Sequence, residues 1–539
     1  MAHLFLLGLP IVLGVFVYRL IIQWKLQRRL PPGPKPLPII GNLFDLPSRD
    51  EPGHLYWIKH KDKYGPISSV TVLGQTTIFI HDVEAAEYIL NKKSQQSSRR
   101  PEFKFSSNIC GLADFHANQQ YTSRWRHNRK TIHKLMGTKK LSEKFNPVQV
   151  GEVRRLLVRT LNKTDALIKN FRFQASSTIL KVIYGYAVDP VKADPLVILS
   201  ERLAKGVVDS LMPLTWAVDV FPFLEHLPQR LPGMGWMERG RQIKTESHKA
   251  INVPFSFVQT QMATGKHRPS YVSALVEEMS QDSKLSVDDE TSIKWTAGTM
   301  FSASSDSTVS TLTGFILAMV MFPEVQSKAR DELDSLIGTD RLPEIADRDH
   351  LPYINAVISE AYRWHTIVPM GLAHVMAQDE TFNGYLFPKD AQIWPNVWWF
   401  MHDPNVYAEP ESFDPERFLE PRNEPDPRQH IFGYGRRICP GRYFADDQIF
   451  LSITHLLASF SFTKQTDDLG MDIDVKYEPV NGVVNHPAPF CYKATIRGAN
   501  KEALIRGLGK QYHWEESDAE HLESSRFANH KNTLYAASI

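Results

Sequence analysis

The stretch Phe432-Gly433-Tyr434-Gly435-Arg436-Arg437-Ile438-Cys439-Pro440-Gly441 decides how this chain of 539 residues is read. Three glycines in so short a run describe a tight loop, with backbone conformations closed to other residues. The loop is followed by a stretch that reads as a helix from near Arg442, so Cys439 stands just before a helix N-terminus. That end of a helix favours negative charge, and Arg436 and Arg437 are expected to push the same way, toward thiolate. A thiolate there is a soft ligand for a metal. A lone cysteine in a globular body is more often an inert buried residue. Cys110 and Cys491 have no comparable setting and read as structural.

Working outward, 23% of the residues are charged and 42% hydrophobic, which excludes a disordered or fibrous chain. The length allows a core large enough to hide a bulky cofactor. A net charge of +2 gives no strong field, so no nucleic-acid partner is expected. Three cysteines make no disulfide framework and suit a reducing compartment.

Leu4 to Tyr18 carries no charge, and Leu20, Ile21, Ile22 and Trp24 continue the apolar run past Arg19. Spanning a bilayer takes about 20 apolar residues, and an Arg near one end can snorkel to the interface. Lys25, Arg28 and Arg29 follow, which keeps the body on the cytosolic side. A cleaved signal peptide would need a basic start and a small-residue cleavage site, and neither is visible. The reading is therefore a membrane anchor at 1–24 and a basic, proline-rich linker at 25–38, which includes Pro31-Pro32-Gly33-Pro34. A body follows at 39–499, then a polar tail at 500–539 that reads as a frayed end. Within the body, Ile67–Val72 and Thr76–Ile80 pattern as a hairpin. Thr308–Met321 belongs to a long buried helix stopped by Pro323. Leu351–His365 and Asp446–Phe460 are helical, and the segment between them breaks into strands and loops up to about Pro427. The fold class is mainly α with small β-sheets.

Four further groups stand out. Glu360 and Arg363 share a helix face at i and i+3, which by itself reads as a solvated surface pair. Arg417 lies in Pro415-Glu416-Arg417-Phe418. Trp125 and Arg129, at i and i+4, could belong to any surface helix, and His374 alone is a polar loop residue. Ala303-Ser304-Ser305-Asp306-Ser307-Thr308 puts an acid and several hydroxyls inside an apolar helix. That is costly unless they are satisfied or functional; the bland reading has the hydroxyls bonding back to carbonyls one turn earlier.

Taken together, these patterns resemble the cytochrome P-450 superfamily from the proline run to about residue 495, through the loop pattern F-x-x-G-x-R-x-C-x-G. The resemblance implies the P-450 fold, a single large haem-binding domain behind an N-terminal transmembrane helix. It implies heme b, iron protoporphyrin IX, ligated through its iron by Cys439 as axial thiolate. Arg437, Trp125, Arg129 and His374 would face the propionates, and Phe432 would pack on the thiolate side. Glu360, Arg363 and Arg417 would form a buried structural lock. Asp306 and Ser307 would be catalytic, passing protons to the oxygen being reduced. Here the sequence departs from the family pattern: Ser307 replaces the usual Thr, and Ser304 the usual Gly that opens an oxygen groove.

By the same resemblance the chain is a monooxygenase inserting one atom of O2 into a lipophilic or aromatic small molecule, most like fungal microsomal members of secondary metabolism. The pocket would draw on 103–115, 208–223, 295–306, 367–372 and 483–490. The chain shows no flavin or nicotinamide module, so electrons would come from NADPH through a separate membrane-bound reductase, docking near Arg436. The location would be the endoplasmic reticulum membrane, single-pass, with the catalytic domain facing the cytosol. Two alternatives stand beside it: a haem-thiolate isomerase or dehydratase needing no reductase, and a non-catalytic haem-binding protein.

Overall fold

The computed structural model of the chain describes residues 26–523, apart from 49–50, 191, 213–214, 281–284, 481 and 512–514. The expected anchor at 1–24 and residues 524–539 lie outside the described residues. Among the described residues no single helix is long and apolar enough to cross a membrane. The chain divides into two bodies. The first comprises the described residues up to Pro101, Pro369–Phe400 and Gly433–Ile438; the second comprises Glu102–Val368, Met401–Phe432 and the residues from Cys439 onward.

In the first body, helix α1 (Gly53–Tyr64) precedes β1 (Ile67–Val72) and β2 (Gln75–Ile80). The two strands pair antiparallel from Ile67↔Ile80 to Val72↔Gln75, so the second begins one residue earlier than its pattern announced. Leu73 and Gly74 turn the chain with φ of 49° and 87°, the left-handed pair a two-residue hairpin requires. Strand β3 is His374–Val375, and a hairpin of β4 (Glu380–Phe382) and β5 (Tyr385–Phe387) stands apart from the main sheet. Strand β6 (Gln392–Pro395) runs parallel to β2 and antiparallel to β3, giving the order β1-β2-β6-β3. The sheet buries Val70 and Phe79 against α1, whose Trp57 stacks on Phe79 with ring centroids 3.8 Å apart. The proline run is extended and laid along β1. The Pro31 carbonyl accepts from Ser69 Oγ at 2.6 Å, and the Pro32 carbonyl from Ser69 N–H at 3.0 Å.

The second body is helical: α2 (Ser123–Met136), α3 (Asn146–Asn162), α4 (Leu167–Tyr184), α5 (Pro195–Leu211), α6 (Gly235–Ala263), α7 (Val287–Met321), α8 (Pro352–Trp364) and α9 (Arg442–Ser459). Helix α7 starts where Ser286 Oγ accepts from Asp289 N–H at 3.1 Å and stops at Phe322, ahead of Pro323, as its sequence requires. Both α7 and α9 are apolar nearly all round, the signature of a core helix. Phe171 of α4, Phe315 and Ile316 of α7, Val357 of α8, and Phe450 and Leu456 of α9 meet in one cluster. Two small sheets complete this body: β7 (Phe460–Thr463) with β10 (Lys493–Ile496), and β8 (Pro479–Val480) with β9 (His486–Pro487). The expected frayed tail meets a correction over its first residues. Ala499–Gln511 form helix α10, with Ile505 and Leu508 buried in the cluster that also holds residues of α3. The charged residues there clothe the outer face of an amphipathic helix.

Candidate active site

Cys439 lies three residues before α9, and the chain reaches it with a hydrogen bond from Cys439 N–H to the Phe432 carbonyl, 2.8 Å. Phe432 in turn sets its ring edge-on to Tyr362 of α8, centroids 5.8 Å apart. Cys439 is half-buried as a residue, and the desolvation of its thiol raises the pKa above the ordinary value. The Gly441 N–H, Arg129 and Arg442 pull the other way. The cations acting on the sulfur within this body are thus one residue from α2 and one opening α9. Arg436 and Arg437, expected to play that part, belong to the first body. Burial brings Arg129 itself down to about 10 while the Cys439 charge opposes the shift. Trp125, one turn before it, stacks on His116 at 5.1 Å and donates its indole N–H to the His116 carbonyl at 3.3 Å.

In the first body, Gly435 has φ of 52°, and a Cβ there would sit 2.2 Å from the Leu90 carbonyl oxygen, so only glycine fits the turn. The turn hands on to Arg437, whose Nε donates to the Ser98 carbonyl at 2.8 Å. His374 on β3 is buried and shares hydrogen 2.7 Å from the Ser97 carbonyl through Nδ1. A carbonyl only accepts, so Nδ1 carries the proton. Burial, Arg100 and Arg437 hold the His374 pKa well below its ordinary value. The ring is therefore neutral with a lone pair on Nε2, and it cannot donate to a carboxylate without a second proton. Arg100, absent from the sequence-based set, is buried and donates to the carbonyls of Leu372 and Ala373 at 2.8 and 2.6 Å. Burial lowers it to about 10. Its only sequence signal was the basic pair Arg99-Arg100 ahead of Pro101.

Glu360, Arg363 and Arg417 do come together, each with no exposed side-chain surface. Arg363 donates to both Glu360 oxygens at 2.7 and 2.8 Å, and Arg417 Nε reaches the same carboxylate at 3.2 Å. The remaining donors end on the carbonyls of Met401, Ser412 and Ala408 and on Glu424. What reads as a surface pair along one helix is a fully satisfied buried cluster.

The comparisons now bear on these sites. The cytochrome P-450 family profile matches residues 31–494. The chain is similar to a multifunctional cytochrome P-450 monooxygenase of Aspergillus fumigatus, 42% identical over 95% of this chain and 96% of the relative. It is 43% identical to a cytochrome P-450 monooxygenase of Gibberella zeae over 96% of this chain and 99% of the relative. It is 35% identical to O-methylsterigmatocystin oxidoreductase of Aspergillus flavus over 96% and 97%.

The chain is a cytochrome P-450.

As a member of that family it is a haem-thiolate monooxygenase, with haem held by a cysteine thiolate, electrons from a separate redox partner, O2 and a small-molecule substrate. The monooxygenase relatives weigh against the isomerase and non-catalytic readings. The residues present fit that cofactor. Among the described residues no group of three or more His, Cys, Asp or Glu is placed to hold a bare metal ion. A single buried sulfur beside cations suits an iron that arrives with its other ligands.

The P-450's acid lies in the middle of α7, where Ala303 is exposed and Ser304, Asp306 and Ser307 are partly exposed between buried flanks. Asp306 Oδ2 accepts from His486 Nε2, of β9, at 3.2 Å. Burial raises the Asp306 carboxyl, but the His486 hydrogen bond and charge, with Arg172, carry it below the usual value. Ser307 Oγ donates to the Ala303 carbonyl at 3.0 Å and Thr308 Oγ1 to that of Ser304 at 2.9 Å, the back-bonding foreseen as the bland alternative. His486 was not found from sequence. It stands 180 residues from its partner, in a segment without periodicity.

Proposed function

We propose that this P-450 is a membrane-anchored fungal monooxygenase of secondary metabolism, acting on a lipophilic or aromatic substrate, with Cys439 as its axial ligand. The observation that carries the assignment is the Cys439 sulfur: buried, met by the Gly441 N–H and flanked by Arg129 and Arg442 ahead of α9. Haem, when bound, supplies the redox chemistry that activates O2 and inserts one oxygen atom. By the family resemblance Arg129 and Arg437 are the cations for its two propionates, since a buried dianion needs charged donors, and Arg100 is a further buried cation of the first body. Trp125 and His374 give that group shape and packing, their ring N–H donors being directed to carbonyls. Asp306 and Ser307 hold and pass protons midway along α7.

An apolar substrate is supported within the second body by how its segments converge on α7. His116 N–H donates to Thr299 Oγ1 at 3.0 Å, Leu112 and Phe115 share one apolar cluster with Trp295, Met300 and Phe301 of that helix, and Ser200 Oγ of α5 lies 3.3 Å from Ser305 Oγ. The charge-free run from Leu4 to Tyr18, with Lys25, Arg28 and Arg29 after it, supports a single anchor in the endoplasmic reticulum membrane with a cytosolic body. An NADPH-dependent membrane-bound reductase is then the partner in reach. Co-expression with such a reductase in microsomes, followed by mass spectrometry over a set of fungal metabolites, tests the reading. A product heavier by one oxygen atom, dependent on NADPH and reductase, is expected. A product formed without them would overturn it.

A further inference from the structure

Asn485 and His486 sit side by side in the chain and are fastened to α7 in different ways. Asn485 is buried: its N–H donates to the Ile367 carbonyl at 2.7 Å, its Nδ2 to Tyr477 OH at 3.3 Å, and its carbonyl accepts from Ser310 Oγ. His365 closes this set, with Nε2 2.9 Å from Ser310 Oγ and Nδ1 3.0 Å from Tyr477 OH. A fully bonded polar group of this kind fixes backbone position. It holds the start of β9 in one place, and the next side chain, His486, then meets Asp306 at 3.2 Å. Both partners of this pair stay partly open, at 27% and 25% of their side-chain surface.

We infer that His486 is a positioning residue for oxygen activation, holding the Asp306 carboxylate midway along α7 and keeping it supplied with protons. This rests on Asp306 serving as the acid of the reaction. An isolated aspartate, with an ordinary pKa of about 3.9, is almost always empty of protons near neutrality. A relay must be refilled in each cycle, and imidazole is the side chain that titrates in that range. The single hydrogen bond between them, 3.2 Å long, gives a path along which a proton can move. The transfer is a proton alone. With both ring nitrogens protonated, the Nε2–H bond breaks as an O–H bond forms at Asp306 Oδ2, Asp306 passes a proton inward, and Nε2 of the neutral ring is reprotonated by hydronium from solvent. Electrons come from the redox partner. The charged and titratable groups around the pair are Arg172 of α4, His365 of α8 and Tyr477 ahead of β8. Of these, burial keeps His365 neutral, its pKa lowered to about 3, so it does not compete for the proton.

The test uses the full-length haem-loaded protein with its reductase, as wild type, His486→Gln, His486→Ala and Asp306→Asn. The probe is NADPH oxidation without added substrate, measured across pH in H2O and D2O. Turnover of the wild type is expected to fall as pH rises and protons in solvent become scarcer. His486→Gln retains a donor but no titratable proton. It is expected to run about tenfold slower with a flat pH profile and a larger solvent isotope effect, less than the roughly hundredfold lower bound for a group that transfers the proton to the reacting atoms itself. A second readout needs no turnover. In the reduced carbon monoxide complex, 15N-labelled histidine shows a protonated Nε2 at His486, and Asp306→Asn shifts that signal. If His486→Gln keeps the wild-type pH profile and isotope effect, the side chain is only a structural prop and the inference fails. If Asp306→Asn leaves profile and isotope effect unchanged, the acid assignment itself fails.

Discussion

Glu360 and Arg417 stand 57 residues apart in the chain, yet Arg417 Nε lies 3.2 Å from the Glu360 carboxylate with neither side chain exposed. Arg363 grips the same carboxylate from the next turn of α8. Removing that shared anion leaves Arg363 buried without a carboxylate, while Arg417 keeps only Glu424. Glu360→Gln is expected to cost roughly 3–5 kcal/mol, the range for an uncompensated buried charge. Urea unfolding and the yield of haem-loaded protein measure it. Exposed Lys328, paired with Glu416, provides the control: Lys328→Ala should change stability by less than about 1 kcal/mol.

The Cys439 thiol is raised by burial, and a ligand to iron must be thiolate. Haem binding therefore expels a proton from a group that holds it at neutral pH. Affinity should rise with pH and fall about tenfold for each unit of acidification below the thiol's own titration. Haem titrations of the apoprotein at several pH values measure the slope. Cys439→Ser removes both the slope and the thiolate signature of the reduced carbon monoxide complex, and retention of that signature would remove the sulfur from its assigned place.

Arg100 and Arg437 both sit in the first body, and both lend N–H groups to backbone carbonyls. A charge-assisted hydrogen bond contributes about 1.5–3 kcal/mol. Arg437→Ala and Arg100→Ala are each expected to speed haem loss to an acceptor globin by roughly ten- to a hundredfold, by that same range. Lys61→Ala, which removes a surface cation over Trp399, should leave the rate unchanged.

How much of this was legible beforehand follows from how local each signal is. Helix α7 and the hairpin β1–β2 were readable because periodicity, Pro323 and the Leu73-Gly74 turn are all encoded within a few neighbours. So was Cys439, whose loop is contiguous. Arg100 and His486 were not, because each acquires its role from a partner that is distant in sequence. Helix α10 was missed for a different reason. The apolar part of its inner face is Ile505 and Leu508 with the partly buried Leu504, beside a buried Lys501, amid charges that read as tail. Ile505→Asp buries a charge against α3 and is expected to destabilise the fold by several kcal/mol. Arg506→Asp, on the exposed side of the same helix, should cost less than about 1 kcal/mol. Thermal unfolding of the two variants separates a packed helix from a frayed end.

Asp306 and Ser307 are adjacent on α7 but are engaged differently, and their variants should differ accordingly. Asp306 is held from outside its helix, by His486, and the hydrogen bond and charge of that histidine keep it ionised against the effect of burial. Asp306→Asn keeps size and hydrogen bonding while losing the exchangeable proton. The haem spectrum should therefore be retained while turnover falls by about a hundredfold, the lower range for a general acid, with consumed oxygen diverted to hydrogen peroxide. Ser307 already gives its hydroxyl to the Ala303 carbonyl one turn back. To serve a relay it must leave that bond, and it lacks the β-branch that would restrict its rotamer. Ser307→Ala should slow turnover by less than Asp306→Asn, and Ser307→Thr should raise the share of electrons that reach product. Peroxide released per NADPH consumed is the quantity to measure. Equal losses in Asp306→Asn and Ser307→Ala would mean that the hydroxyl takes as large a part in the relay as the acid, against the back-bonded geometry of α7.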